Sequence, residues 1–158
     1  MDLRRVVLAG LIASIVMGMM EMVYEAIAGD GFWSPVVYIG ATVVRSLQSL
    51  APPVGFLFWG VILGLMGHMM NSVVLTWLFT QTAAKAAKSR GGLVASGAFF
   101  GIAAFLVMWY VVLPFVDPVM LNLNATFFFL SHIVWGGALG YLLPAPSAVA
   151  QTVRTASA

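Results

Sequence analysis

Two histidines and five acids are all that 158 residues offer for acid–base or ligand chemistry, apart from two lysines, tyrosine and methionine. His68 follows Gly60 and Gly64 and precedes Ser72 at steps of four, and His132 precedes Gly136 and Gly140 in the same way. On a helix this spacing puts each imidazole on a stripe of small residues, the face that lets another helix approach. An imidazole there can ligate iron, pass a proton or bond to a main-chain carbonyl. Met66 and Met70 share a face beside His68, and thioether with imidazole suits Cu(I), although methionine also fills gaps in apolar packing. Glu21 and Glu25 stand one turn apart. A charge in the hydrocarbon costs at least about 2.5 kcal/mol, so Glu21 must face protein or carry a proton, with Tyr110, Asn71 or an oligomer partner as its expected hydrogen-bond partner.

The elements that position these groups are membrane helices. The chain is 62% apolar and 8% charged, with a mean hydropathy of +1.04, against about 45–50% and about 25% in soluble domains. Disorder is excluded by the same figures. Net charge is only +2 with dispersed basic residues, which leaves nucleic-acid binding without support. The absence of cysteine removes disulfides, thiolate zinc and iron–sulfur sites. No Ser/His/Asp arrangement, phosphate loop or His-Glu-x-x-His helix is present.

Four stretches match the roughly 20 apolar residues that cross a bilayer, at about 6–28, 54–80, 92–114 and 124–143. Gly29-Asp30-Gly31, Pro52-Pro53, Pro114 and Pro144 mark their ends. Arg4, Arg5, Lys85, Lys88, Arg90 and Arg154 fall on one side and Arg45 on the other, which predicts both termini in the cytoplasm. Residues 81–90 are then inside, and residues 29–53 and 115–123 outside. Residues 34–50 read as a helix lying in the outer interface, opened by Ser34-Pro35. Val36, Ile39, Val43, Leu47 and Leu50 form its apolar stripe, and Tyr38, Thr42, Arg45 and Ser49 its polar one. An ordered loop packed on the helices is the alternative.

Residues 2–28 also carry signal-peptide features, with Ala26-Ile27-Ala28 as a cleavage site. A weak internal repeat speaks for an integral first helix instead. Aligning His68 with His132 brings Trp77 onto Tyr141 and makes two parallel two-helix units of the chain. His68 stands twelve positions before Thr80 and His132 twelve before Pro144, so both lie about 18 Å from that end, near mid-membrane.

The stretches Gly64-Leu-Met-Gly-His68-Met-Met-Asn-Ser72 and Met108-Trp-Tyr-Val-Val-Leu-Pro114, with Ser131-His132 and Gly136-Gly137 on a late helix, resemble small four-helix inner-membrane proteins of bacteria that are classed as domains of unknown function. The resemblance implies a multi-pass protein of the bacterial cytoplasmic membrane and carries no activity or residue role.

The expected fold is thus an all-α four-helix transmembrane bundle in the lipid bilayer. The first functional reading is a non-enzymatic small subunit or homo-oligomer associating through Gly60, Gly64, Gly136 and Gly140. In the second, His68 and His132 hold one haem b and carry electrons. A third is a minimal proton or metal-ion transporter using Glu21, His68 and His132.

Overall fold

The computed structural model describes residues 2–145. Arg154 lies outside them. Among the described residues there are six α-helices and no strand: α1 Leu3–Ala28, α2 Ser34–Gly40, α3 Phe58–Gln81, α4 Arg90–Val107, α5 Leu113–Val116 and α6 Ala125–Leu142. Four helical stretches, Leu3–Ala28, Phe58–Ala86, Arg90–Val116 and Ala125–Leu142, are long and apolar enough to cross a membrane.

Polar side chains set the helix starts. Asp2, Ser89 and Asn124 accept from the backbone N–H groups of Arg4, Gly92 and Phe127, satisfying donors that have no partner in a first turn. Residues 54–57, expected to be helical, precede α3. Pro114 does not close the third span. A π-turn, Met108–Val112, absorbs the N–H that proline lacks, Leu113 N–H donating to Met108 O, and the helix continues to Val116. Arg90, a loop charge in sequence terms, caps α6: its Nη1 donates to Tyr141 O at 2.5 Å and to Leu143 O, carbonyls that a helix end leaves without donors.

The spanning helices pack as α1 with α3 and α4 with α6, and α1 joins the two pairs by packing on α6. Small residues explain how closely. A Cβ on Gly97 would strike Gly136 O, one on Gly101 His132 O, one on Gly136 Gly97 O and one on Gly140 Leu93 O, so α4 and α6 touch backbone to backbone. In α1, Gly10 plays the same part, with Val73 Cα and Thr76 Oγ1 of α3 each 2.9 Å from its would-be Cβ.

Residues 34–50 depart from the expected amphipathic surface helix. α2 has only two turns, ends at Gly40, and is followed by the 3-10 turn Arg45–Ser49, the β-branched run Thr42-Val43-Val44 being poor helix material. Val36, Val37 and Tyr38 of α2 and Ala41 just beyond it are buried. Tyr38, assigned by periodicity to a polar outer face, is 0% exposed. The reason lies in α3: a Cβ on Gly64 would strike Val36 O and a Cβ on Gly40 would strike Gly60 O, so α2 lies backbone to backbone in the groove those glycines leave.

Candidate functional site

α3 and α4 are consecutive yet do not pack along their length. They approach at one end, where the rings of Phe79 and Phe100 lie 5.3 Å apart. Toward the other end they diverge around a cavity of about 340 Å³, bounded by α3, by α2 and by the π-turn with α5. Glu21, His68 and His132, candidates from three different spans, all line it. Trp135 and Phe128 of α6 also face it, and Asn71 and Met70 stand at its exposed rim.

Each histidine is already engaged through one ring nitrogen. His68 Nε2–H donates to Ser14 O of α1 at 2.9 Å, and His132 Nδ1–H donates to Phe128 O one turn back at 2.7 Å. A carbonyl can only accept, so the protonated nitrogen is fixed in both rings, and Nδ1 of His68 and Nε2 of His132 are left for other partners. The two rings therefore play different parts, one locking α1 to α3 and the other folded against its own helix among Phe105, Phe128 and Trp135. Beside the two rings, the space next to Gly64 and Gly136 is filled by the backbones at Val36 and Gly97.

Of the two methionines expected beside His68, Met70 lines the cavity with it. Met66 is 62% exposed and outside the cavity, whereas Met17, Met108 and Met120 line it. Among the described residues no three of His, Asp and Glu converge as metal ligands do.

Glu21 is 3% exposed and finds neither Tyr110 nor Asn71 but Ser131. Ser131 has one hydroxyl proton and two acceptor neighbours, Glu21 Oε1 at 2.5 Å and Phe128 O at 2.9 Å. With Glu21 as the acid, the chain closes: the carboxyl donates to Ser131 Oγ and Ser131 donates to Phe128 O. Glu21 Oε2 has no partner among the described residues.

Ser72 and Asp117 have structural parts that sequence reasoning does not assign. Ser72 Oγ donates to Gly10 O at 2.8 Å and accepts from Trp135 Nε1 at 2.8 Å, so one hydroxyl joins α3, α1 and α6. Its place on the stripe of His68 is the one available signal. Asp117, just beyond α5, is 3% exposed and lines the cavity. Its carboxylate accepts from Thr42 Oγ1 at 2.8 Å and from Gln48 Nε2, while Gln48 Oε1 accepts from Val119 N–H and Arg45 donates to Val116 O. These bonds fasten the turn at 42–48 to the chain beyond the π-turn and close that end of the cavity. Burial pushes the Asp117 carboxyl above its ordinary range, against the opposing pull of Thr42, Gln48 and Arg45.

Comparison with protein-family models, with curated proteins and with solved structures finds no match to the chain.

Proposed function

We propose that the chain is a non-enzymatic subunit of the bacterial cytoplasmic membrane, a four-helix bundle of two antiparallel helix pairs that receives an apolar helix, from a second copy or another membrane protein, against the cleft beside α3. The observation that carries this reading is the division of the small residues. Gly64, Gly97, Gly101, Gly136 and Gly140 are filled by neighbouring backbone within the chain. Gly67 lines the cleft, and a Cβ there would meet only Ile39 Cγ2, at 3.4 Å. Helix association in lipid depends on such small residues. Gly60 and Gly64, which spacing alone assigns to an oligomer face, serve α2 instead.

The polar groups support a binding role over catalysis, because His68, Ser72, Trp135 and Ser131 are engaged in bonds that hold helices together or tie a ring to its own turn. Gly67→Leu should fold, since its neighbour is the end of a side chain, and should reduce the native mass of the purified protein to that of one chain in its detergent micelle. An unchanged larger assembly in that variant would sink the cleft as the docking face. The transporter reading draws on Glu21, His68 and His132 lining one cavity; proton or metal-ion uptake into proteoliposomes, lost in Glu21→Gln, would favour it instead.

The proposed orientation places both termini in the cytoplasm. It is supported by the packing, which brings Arg5 beside Leu142 and Pro144 and sets Gly10 beside Thr76, so Arg4, Arg5, Lys85, Lys88 and Arg90 share one end. Cysteine placed at Ser46 should react with an impermeant reagent added outside intact cells, and cysteine at Ser89 should react only after lysis. Both positions are exposed. The reverse labelling pattern would invert the topology.

A further inference from the structure

At the end of α1 near Gly29, three buried oxygens have no hydrogen-bond partner among the described residues: Glu25 Oε1, Asp30 Oδ2 and the Tyr38 hydroxyl. Glu25 is 2% exposed and Tyr38 0%. They belong to one cluster, because α2, which carries Tyr38, packs on α1 and on the turn Pro118–Asn122, and the N–H groups of Gly29 and Gly31 fold Asp30 back over the end of α1 at Glu25. Asp30 and Asn122 approach the Tyr38 hydroxyl without closing a hydrogen bond to it. The chain is shaped to hold the group together. Gly29 and Gly31 take φ values of 120° and 100°, which turn the backbone around Asp30, and both N–H groups donate to Glu25 O.

Two carboxylates set close together and away from water repel each other, and an unpartnered buried hydroxyl loses the bonds it made in water. Among the described residues no basic side chain acts on Glu25 or Tyr38. What the cluster lacks is a positive charge at its centre.

We propose that Glu25, Asp30, Tyr38 and Asn122 bind a hard divalent cation of the calcium type. All four donors are oxygens, two of them anionic, so the charge matches a divalent ion and the absence of nitrogen and sulfur ligands disfavours copper or zinc. Calcium accepts irregular sets of six to eight oxygens and takes water for the remainder. Asn122 and Asn124 are exposed, which leaves a path from solvent. The ion would join α1, the Gly29–Gly31 turn, α2 and the turn Pro118–Asn122, stiffening the wall of the cleft formed by Val36 and Met120. The site is separate from the cleft, so it stands or falls independently of the docking reading.

The test uses the full chain in detergent, with Ca2+, Mg2+ or chelator, read by thermal unfolding and by the luminescence of Tb3+ as a calcium probe sensitised by Tyr38. The expected result is a saturable rise in Tm with Ca2+, a smaller one with Mg2+, and Tb3+ emission that Ca2+ displaces. Asp30→Asn should weaken Ca2+ binding by about tenfold or more, since ligand charge sets calcium affinity. Tyr38→Phe should lower the sensitised emission. Glu25→Gln with Asp30→Asn should abolish the calcium response while leaving stability in chelator equal to the parent or higher, because the repulsion is gone; if that double variant fails to fold, Asp30→Asn alone decides. An identical Tm in Ca2+ and chelator without saturable Tb3+ emission would overturn the proposal, as would a calcium response that survives Asp30→Asn undiminished.

Discussion

Gly136→Leu is expected to abolish the folded state in detergent, whereas Gly137→Leu, one residue on, should leave the unfolding temperature nearly unchanged. The two glycines differ in what surrounds them. At Gly136 a Cβ would strike Gly97 O, with Gly101 N only 3.0 Å away, and neither main-chain group can rotate aside. At Gly137 the nearest atom is Val94 Cγ1 at 4.0 Å, ordinary contact with the end of a side chain. Overpacking a core costs about 1–3 kcal/mol when neighbours can adjust, and more when they cannot. Here α4 must be pushed off α6 along the seam from Leu93 to His132, so the loss should exceed that range. Thermal unfolding followed by tryptophan fluorescence gives the comparison. Equal stability in the two variants would mean that the seam is not the close contact described. Gly64→Leu and Gly60→Leu should separate in the same sense, because Gly64 meets Val36 O while Gly60 meets side-chain atoms of Leu47 and Val37.

Trp135→Ala should be the most damaging truncation in the membrane interior, at about 3–5 kcal/mol for a buried aromatic. Trp135 is 2% exposed, packs against Phe100 and His132, and donates to Ser72 Oγ. Ser72→Ala removes less volume but leaves the indole N–H without an acceptor and Gly10 O without that donor, a loss of about 1–3 kcal/mol. The pairwise bond itself should measure about 0.6 kcal/mol, the average for interhelical bonds in membranes, in a cycle of Ser72→Ala with Trp135→Phe. Ser14→Ala should do almost nothing, since His68 bonds to the main-chain oxygen of Ser14 and the hydroxyl only returns to Leu11 O. The expected order is Trp135→Ala, then Ser72→Ala, then Ser14→Ala. A Ser14→Ala variant as unstable as Ser72→Ala would refute this assignment of roles.

Hydropathy and helix breakers reveal the four apolar helices because length and composition are local properties, readable without knowing what packs where. The stripe on which His68 and Ser72 lie is legible for the same reason. Its partner is not: Gly60 and Gly64 look like an oligomer face until α2 is seen lying in the groove. The expectation for 34–50 fails at Tyr38, because periodicity separates apolar from polar side chains but cannot tell a polar tip turned to water from one turned into protein. Asp117 is hidden differently. Its partners Thr42 and Gln48 are 75 and 69 positions away, and an Asp-Pro pair reads locally as a helix start. Glu21 is recognisable as needing a partner, but Ser131 lies 110 positions away and no spacing rule connects them.

On the proposed function, His68, Ser72 and Ser131 hold helices together, His132 is tied to its own turn, and the cleft is left to an apolar partner. Purified from haem-replete cells, the protein should give an absorption spectrum with the tryptophan and tyrosine band alone, in a monodisperse particle whose native mass exceeds one chain plus detergent. A Soret band with split α and β bands on reduction, lost alike in His68→Ala and His132→Ala while both variants remain folded, would contradict it.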